Sequence, residues 1–148
     1  LDYLVVDLPP GTGDVQLSLT QSMPISGAVI VTTPQQVAVD DAWRAVNMFE
    51  KLETPLFGIV ENMAFLEMPD GTHQYIFGEK GGEHLASQVG ARFLGRIPLD
   101  PRIGVGGDIG SPVVTQEPLS QAGEALVAIA RNIAAEASKE AFRKNQAG

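Results

Sequence analysis

Apolar residues in this chain fall into short continuous runs, separated by stretches in which they recur every three or four positions. Leu4, Val5 and Val6 lead to Asp7, and Ala28, Val29, Ile30 and Val31 lead to Thr32, Thr33 and Pro34. Leu56, Phe57, Gly58, Ile59 and Val60 lead to Glu61 and Asn62. A weaker run over residues 92–97, carrying Arg92 and Arg96, leads to Pro98. Runs that are continuous rather than alternating suit strands covered on both faces, as in a parallel sheet.

The stretches between them have helical spacing. Ala38, Ala42, Ala45, Phe49 and Leu52 share one stripe, with Asp40, Asp41, Arg44 and Glu50 elsewhere on the cylinder. Asp14 is placed to cap a helix starting at Val15 and closed by Pro24. A shorter helix is expected over residues 82–89, ended by Gly90. Pro118 is expected to open the longest, with Leu119, Ala122, Leu126, Ile129 and Ile133 on one side. Its tail, residues 139–148, turns polar and is expected to fray. Strands alternating with helices imply an open α/β sheet, mostly parallel, with helices on both faces. Such sheets bind ligands beyond the carboxyl ends of their strands, where the unusual residues of this chain stand. The Pro/Gly-rich stretch over residues 98–112 reads as a long loop, which points to function or mobility.

Composition narrows the partners. With 148 residues, 44% hydrophobic and 19% charged, the chain suits one globular domain. A net charge of −8 argues against a nucleic-acid or anionic-membrane surface, because both require clustered Lys and Arg. The absence of cysteine excludes disulfides, thiolate metal sites and cysteine nucleophiles from these residues. No apolar run approaches the roughly 18 residues of a membrane span, and the expected location is the cytoplasm.

The opening "LDYLVVDLPPGTGD" carries the densest chemical signal. An aspartate ending a buried strand puts a carboxylate where a nucleotide's Mg²⁺ would sit, held through the metal's water shell. In the loop that follows, the prolines stiffen the backbone and Gly11 lets an N–H approach a phosphate oxygen. Taken alone, Asp7 is more often a strand-end cap or turn residue than a metal ligand, and Asn62 reads better as a turn residue and Pro98 as a simple breaker.

"DYLVVDLPPGTGD" resembles the Walker B and switch II segment of the Mrp/ApbC family, deviant-Walker P-loop ATPases similar to MinD that act as iron–sulfur cluster carriers. Further blocks match in order: "VIVTTPQQVAVDDAWRAVNMFEKLETPLFGIVENMAF", "YIFGEKGGEHLA" and "FLGRIPLDPRIGVGGDIGSPVV". The resemblance covers about residues 1–135 and implies a P-loop NTPase-like fold, with residues 1–138 as a partial domain. It also implies roles: Asp7 as the Walker B aspartate near Mg²⁺, Gly11 as the glycine sensing the γ-phosphate, and Asn62 as the amide that bonds adenine. Pro98, Leu99 and Asp100 resemble the loop closing over the base.

The chain departs from the family pattern twice. It holds no Gly-Lys-Ser/Thr phosphate cradle; "GEKGGEH" at residues 78–84 reads as a helix-start turn. The N-terminal P-loop strand–helix unit is therefore expected to be missing, leaving this chain inactive alone and prone to form homodimers or otherwise self-associate. The family's Cys-x-x-Cys is also absent from "ENMAFLEMPDGTHQYIFG", where Met68 falls at the first cysteine's place. Met68, Asp70 and His73 do not replace it, because iron–sulfur clusters are held by thiolates. The resemblance thus implies ATP, Mg²⁺ and iron–sulfur client proteins for the complete protein. Two alternatives stand beside it: a degenerate interaction or regulatory module, and a MinD/ParA-type positioning ATPase.

Overall fold

The computed structural model describes residues 1–9, 11 and 13–147. Three parallel strands form the central sheet: β1 (Ala28–Thr32), β2 (Leu56–Glu61) and, after a short hairpin, β5 (Phe93–Arg96). β2 lies in the middle, pairing Ile59 and Val60 with Ile30 and Val31 of β1 on one side, and with Phe93 and Gly95 of β5 on the other. The hairpin joins β3 (Leu66–Glu67) to β4 (His73–Gln74) in antiparallel register.

Residues along the strands alternate between two cores. Ile30 and Ile59 face α2 (Gln36–Lys51) and α3 (Gly81–Val89), packing with Val39, Ala42, Val46, Phe49, Leu85 and Ala86. Val29, Val60 and Leu94 face α6 (Gln121–Ala147), packing with Leu126, Ile129 and Ile133. An α/β sheet with helices on both faces is thus what the continuous apolar runs encode. Gly95 lets α6 ride close to β5: its φ is +146°, and a Cβ there would come within 2.8 Å of Ile129 Cγ1. Asn132 Nδ2 donates to Leu94 O at 2.9 Å, and Arg92 pairs with Glu136, so polar bonds flank the same contact.

Several elements differ from the sequence expectation. Residues 4–6 form no strand; Leu4 and Val5 are exposed, as is Val31 on β1, which has no partner on its outer side among the described residues. A parallel strand persists only through ladder bonds to a neighbour, and among the described residues no strand pairs with residues 4–6. Asp14 opens α1 (Asp14–Ser22) from inside the first turn, with Gly13 at the cap and no side-chain capping bond. Residues 98–112 are not one loop, because α4 (Pro101–Asp108) occupies most of the stretch and α5 (Val113–Gln116) follows it. α6 starts at Gln121 rather than Pro118, with Ser120 Oγ accepting from Gly123 N at 3.1 Å. It continues to Ala147 through the polar stretch expected to fray, where Lys139 pairs with Glu136 and Arg143 with Glu140. Gly148 lies outside the described residues.

Candidate functional site

The carboxyl ends of β1, β2 and β5 form one edge, and backbone bonds extend it beyond the strands. Asn62 N donates to Thr32 O at 2.7 Å, Ile97 N to Glu61 O at 2.8 Å, and Ala64 N to Ile97 O at 3.0 Å. Leu99 N then donates to Phe65 O at 2.7 Å. These bonds zip residues 62–65 onto residues 97–99, so Asn62 and the segment Pro98, Leu99, Asp100 share one edge of the sheet. Asn62 Oδ1 accepts from Met63 N at 2.9 Å, and Met63 holds a left-handed φ of 51°. That bond fixes the amide at the strand end. An amide carries both acceptor and donor atoms, which is the pairing a purine base edge requires.

Asp100 caps α4. Its Oδ1 accepts from Arg102 N at 2.9 Å, and Pro101 supplies the fixed φ of the first turn. Arg102 bonds back to both Asp100 oxygens and pairs with Glu117. The Arg102 guanidinium beside Asp100 holds its carboxyl below the usual carboxylate range. Pro98, Leu99 and Asp100 line a cleft of about 670 Å³ with Leu66, Glu117 and Leu119.

Asp7 and Gly11 belong to a different setting. Asp7 is exposed in an irregular segment, not at the end of a buried strand as the sequence suggested. The segment is tied down just after it: Leu8 packs against the α2/α3 core, and Gln16 Nε2 on α1 donates to Pro9 O at 2.9 Å. Gly11 has φ +98°, a conformation that favours glycine, and its side faces Gln16. Pro10 and Thr12 of the "PPGTGD" signal lie outside the described residues. Backbone bonds join Glu61, Ala64 and Phe65, the neighbours of Asn62, to Ile97 and Leu99; Asp7 takes no part in these bonds.

Sequence reasoning passed over the group that organises this edge. Glu61 is 1% exposed. Its Oε2 accepts from Gly82 N at 2.7 Å, at the start of α3, and its Oε1 accepts from Arg96 Nε at 3.2 Å, on β5. Arg96 also pairs with Glu83 and lies 5.5 Å from the centre of the Phe93 ring. Gly82 lets α3 approach the strand ends closely: a Cβ there would press on Glu61 Cβ at 3.1 Å and Thr32 Cγ2 at 3.2 Å, and those atoms would have to give by a few tenths of an ångström. The local sequence offered a signal only in the paired glycines that begin α3.

Hydrogen bonds and ring contacts within the chain close the hairpin after Asn62. Asp70 Oδ1 accepts from Thr72 N at 2.9 Å and from Thr72 Oγ1 at 2.6 Å, which lowers the Asp70 pKa. Phe65 stacks on His73 at 3.9 Å, with Tyr75 edge-on to both. Among the described residues no group of His, Cys, Asp and Glu is placed to hold a metal ion. With no cysteine in the chain, these residues do not fit an iron–sulfur cluster.

A parallel sheet covered on both faces, with polar groups and a cleft at the carboxyl ends of its strands, defines an open α/β chain of the kind that binds ligands at that edge. The family described as ParA, NUBPL iron-transfer P-loop NTPase, matches residues 1–134, and the chain belongs to it. An iron-sulfur cluster carrier protein of Deinococcus radiodurans is 52% identical over 139 residues, spanning 93% of this chain and 39% of that protein. The iron-sulfur cluster transfer protein NUBPL of Mus musculus is 47% identical over 134 residues, spanning 90% of this chain and 42% of that protein. The chain thus covers about two fifths of the length of these relatives. Among solved structures, a nucleotide-binding protein of Archaeoglobus fulgidus in complex with ADP superposes with TM-score 0.69 at 40% identity, over 83% of this chain and 49% of that one. The MinD cell division protein of Aquifex aeolicus shares the fold, with TM-score 0.62 at 22% identity over 82% of this chain and 48% of that one. No helix among the described residues is long and apolar enough to cross a membrane.

Proposed function

We propose that this chain provides the base-binding side of an ATP site in a cytoplasmic protein of iron–sulfur cluster handling. The observation that carries the reading is the backbone zipper placing Asn62 beside Pro98, Leu99 and Asp100. The Asn62 amide selects adenine by pairing a donor and an acceptor with the base edge, and the Pro98 segment covers the base. Support also comes from the relative solved with ADP and from the names of the cluster carriers.

In the complete protein, Asp7 would hold Mg²⁺ through its water shell and Gly11 would approach the γ-phosphate. One exposed carboxylate is a fitting but partial donor set, because Mg²⁺ bound with nucleotide needs only one or two protein carboxylates. The metal supplies charge neutralisation at the phosphates. ATP hydrolysis would then proceed by positioning and electrostatics. The chain alone lacks a Gly-Lys-Ser/Thr cradle and is expected not to hydrolyse ATP. A cluster, as cargo for client proteins, would have to be bound by residues other than these.

Titration of a fluorescent ATP analogue against the full-length protein and its Asn62→Ala variant tests the reading. Loss of the amide should weaken binding by about 2- to 10-fold, the equivalent of one net hydrogen bond. Equal affinity in both proteins would overturn it.

A further inference from the structure

The carboxylate of Glu61 is almost completely removed from water yet holds two directed bonds, to elements far apart in sequence. Burying a charge is costly unless it is paired and hydrogen-bonded. Here the compensation comes from an α3 N-terminal amide and from the Arg96 guanidinium, which Glu83 steadies from its outer side. The backbone of the same residue is the midpoint of the edge, pairing with Thr32 on β1 and Arg96 on β5. Glu61 immediately precedes Asn62, and Arg96 stands just ahead of the Pro98 segment. One side chain therefore ties together the strand that presents the amide, the strand that leads into the covering segment, and the helix packed over both.

We infer that Glu61 is a positioning residue for the nucleotide base: with Arg96 and Gly82 it forms a clasp that fixes the spacing between Asn62 and the Pro98, Leu99, Asp100 segment. The inference rests on the base-site reading of Asn62 and adds the group that aligns it. Glu61 does not touch the ligand; it acts through the register of the strand ends. In Glu61→Gln the amide oxygen can still accept from Gly82 N, but the amide nitrogen then meets the Arg96 Nε–H, donor against donor. The clasp opens towards β5 while the helix contact persists. Arg96→Gln alters the same joint from its half-buried side: it removes the pairing charge but leaves an amide N–H that can donate to the Glu61 carboxylate.

The test uses the full-length protein and measures the affinities of ADP and of inorganic tripolyphosphate for the wild type, Glu61→Gln, Arg96→Gln, Asn62→Ala and Glu61→Gln/Asn62→Ala, with thermal melts alongside. Loosening a supporting group is expected to weaken ADP binding in each clasp variant by up to, and no more than, the about 2- to 10-fold loss of Asn62→Ala. Tripolyphosphate, which has no base, should bind with unchanged affinity. Combining Glu61→Gln with Asn62→Ala should cost no more than Asn62→Ala alone, because both act on one interaction.

Unchanged ADP affinity in Glu61→Gln and Arg96→Gln, while Asn62→Ala weakens it, would overturn the clasp and leave the base site standing. Parallel losses for ADP and tripolyphosphate, or additive effects in the double variant, would also overturn it by showing a general loss of structure. Unchanged affinity in Asn62→Ala would remove the base-site reading and the clasp together. If Glu61→Gln fails to fold, Arg96→Gln and its combination with Asn62→Ala decide by the same outcomes.

Discussion

Replacing Gly95 by Ala probes the contact that sets β5, and hence the Pro98 segment, against α6. Two penalties act together. The added Cβ would lie 2.8 Å from Ile129 Cγ1 and 3.3 Å from its Cδ1, closer than carbon atoms sit in a packed core. Overpacking of this kind costs about 1–3 kcal/mol. The backbone φ of +146° adds strain of about 1–3 kcal/mol for a residue with a side chain. The expected loss is therefore roughly 2–6 kcal/mol. In urea, where chains of this size lose about 1–3 kcal/mol of stability per molar, the midpoint should fall by on the order of 1 M or more. Ile129→Ala alone should cost about 2–5 kcal/mol by leaving a cavity. In the double variant the new methyl enters that cavity, so the combined loss should fall short of the sum by roughly 1 kcal/mol or more. Gly104→Ala serves as the control: a Cβ there meets nothing within 4 Å, and α4 should be unaffected or gain stability. Far-UV circular dichroism under urea gives all four midpoints. A Gly95→Ala loss below about 0.5 kcal/mol, or strict additivity with Ile129→Ala, would refute the packing argument.

Three further outcomes are expected. The folded-state pKa of Asp100 is depressed, chiefly by its hydrogen bond to Arg102, so its stabilising contribution is present above the unfolded value and is lost as pH falls through the carboxylate range near 4. Asp100→Asn keeps the helix cap and should flatten the acid limb of the stability profile while costing under about 1 kcal/mol at neutral pH; an unchanged acid limb contradicts this. Anaerobic incubation of the chain with ferrous iron, sulfide and reductant should leave no protein-bound visible chromophore after desalting, whereas a stoichiometric cluster would show ligation by residues assigned none here. The exposed Val31, on a strand with no outer neighbour among the described residues, together with exposed Leu4 and Val5, should drive concentration-dependent association that Val31→Lys reduces; sedimentation showing only monomer at every concentration would count against it.

The pieces legible in the sequence were those whose signal is local. Three of the apolar runs became β1, β2 and β5, and Gly90 ended α3 in the left-handed conformation its identity suggested. Residues 4–6 have the same composition as a buried strand, but strand formation depends on a neighbour, which composition does not reveal. α4 was hidden by Gly104, Gly106 and Gly107, poor helix formers that masked the Asp100–Pro101 start signal. The hairpin after Asn62 was missed because its strands are very short, although Pro69, Asp70 and Gly71 mark its turn. At the site, the resemblance singled out Asn62 and the Pro98 segment, which the fold brings to one edge of the sheet. Glu61 was invisible as a clasp, since its partners Gly82 and Arg96 lie 21 and 35 residues away. Only the folded sheet brings them together.

The most direct test of the account is a crystal structure of the full-length protein with ADP and Mg²⁺. Adenine is expected within hydrogen-bonding distance of the Asn62 amide and beneath Pro98, Leu99 and Asp100, with Asp7 turned towards the metal's water shell. A base bound away from Asn62, with the edge formed by residues 62–65 and 97–99 open to solvent, would contradict it.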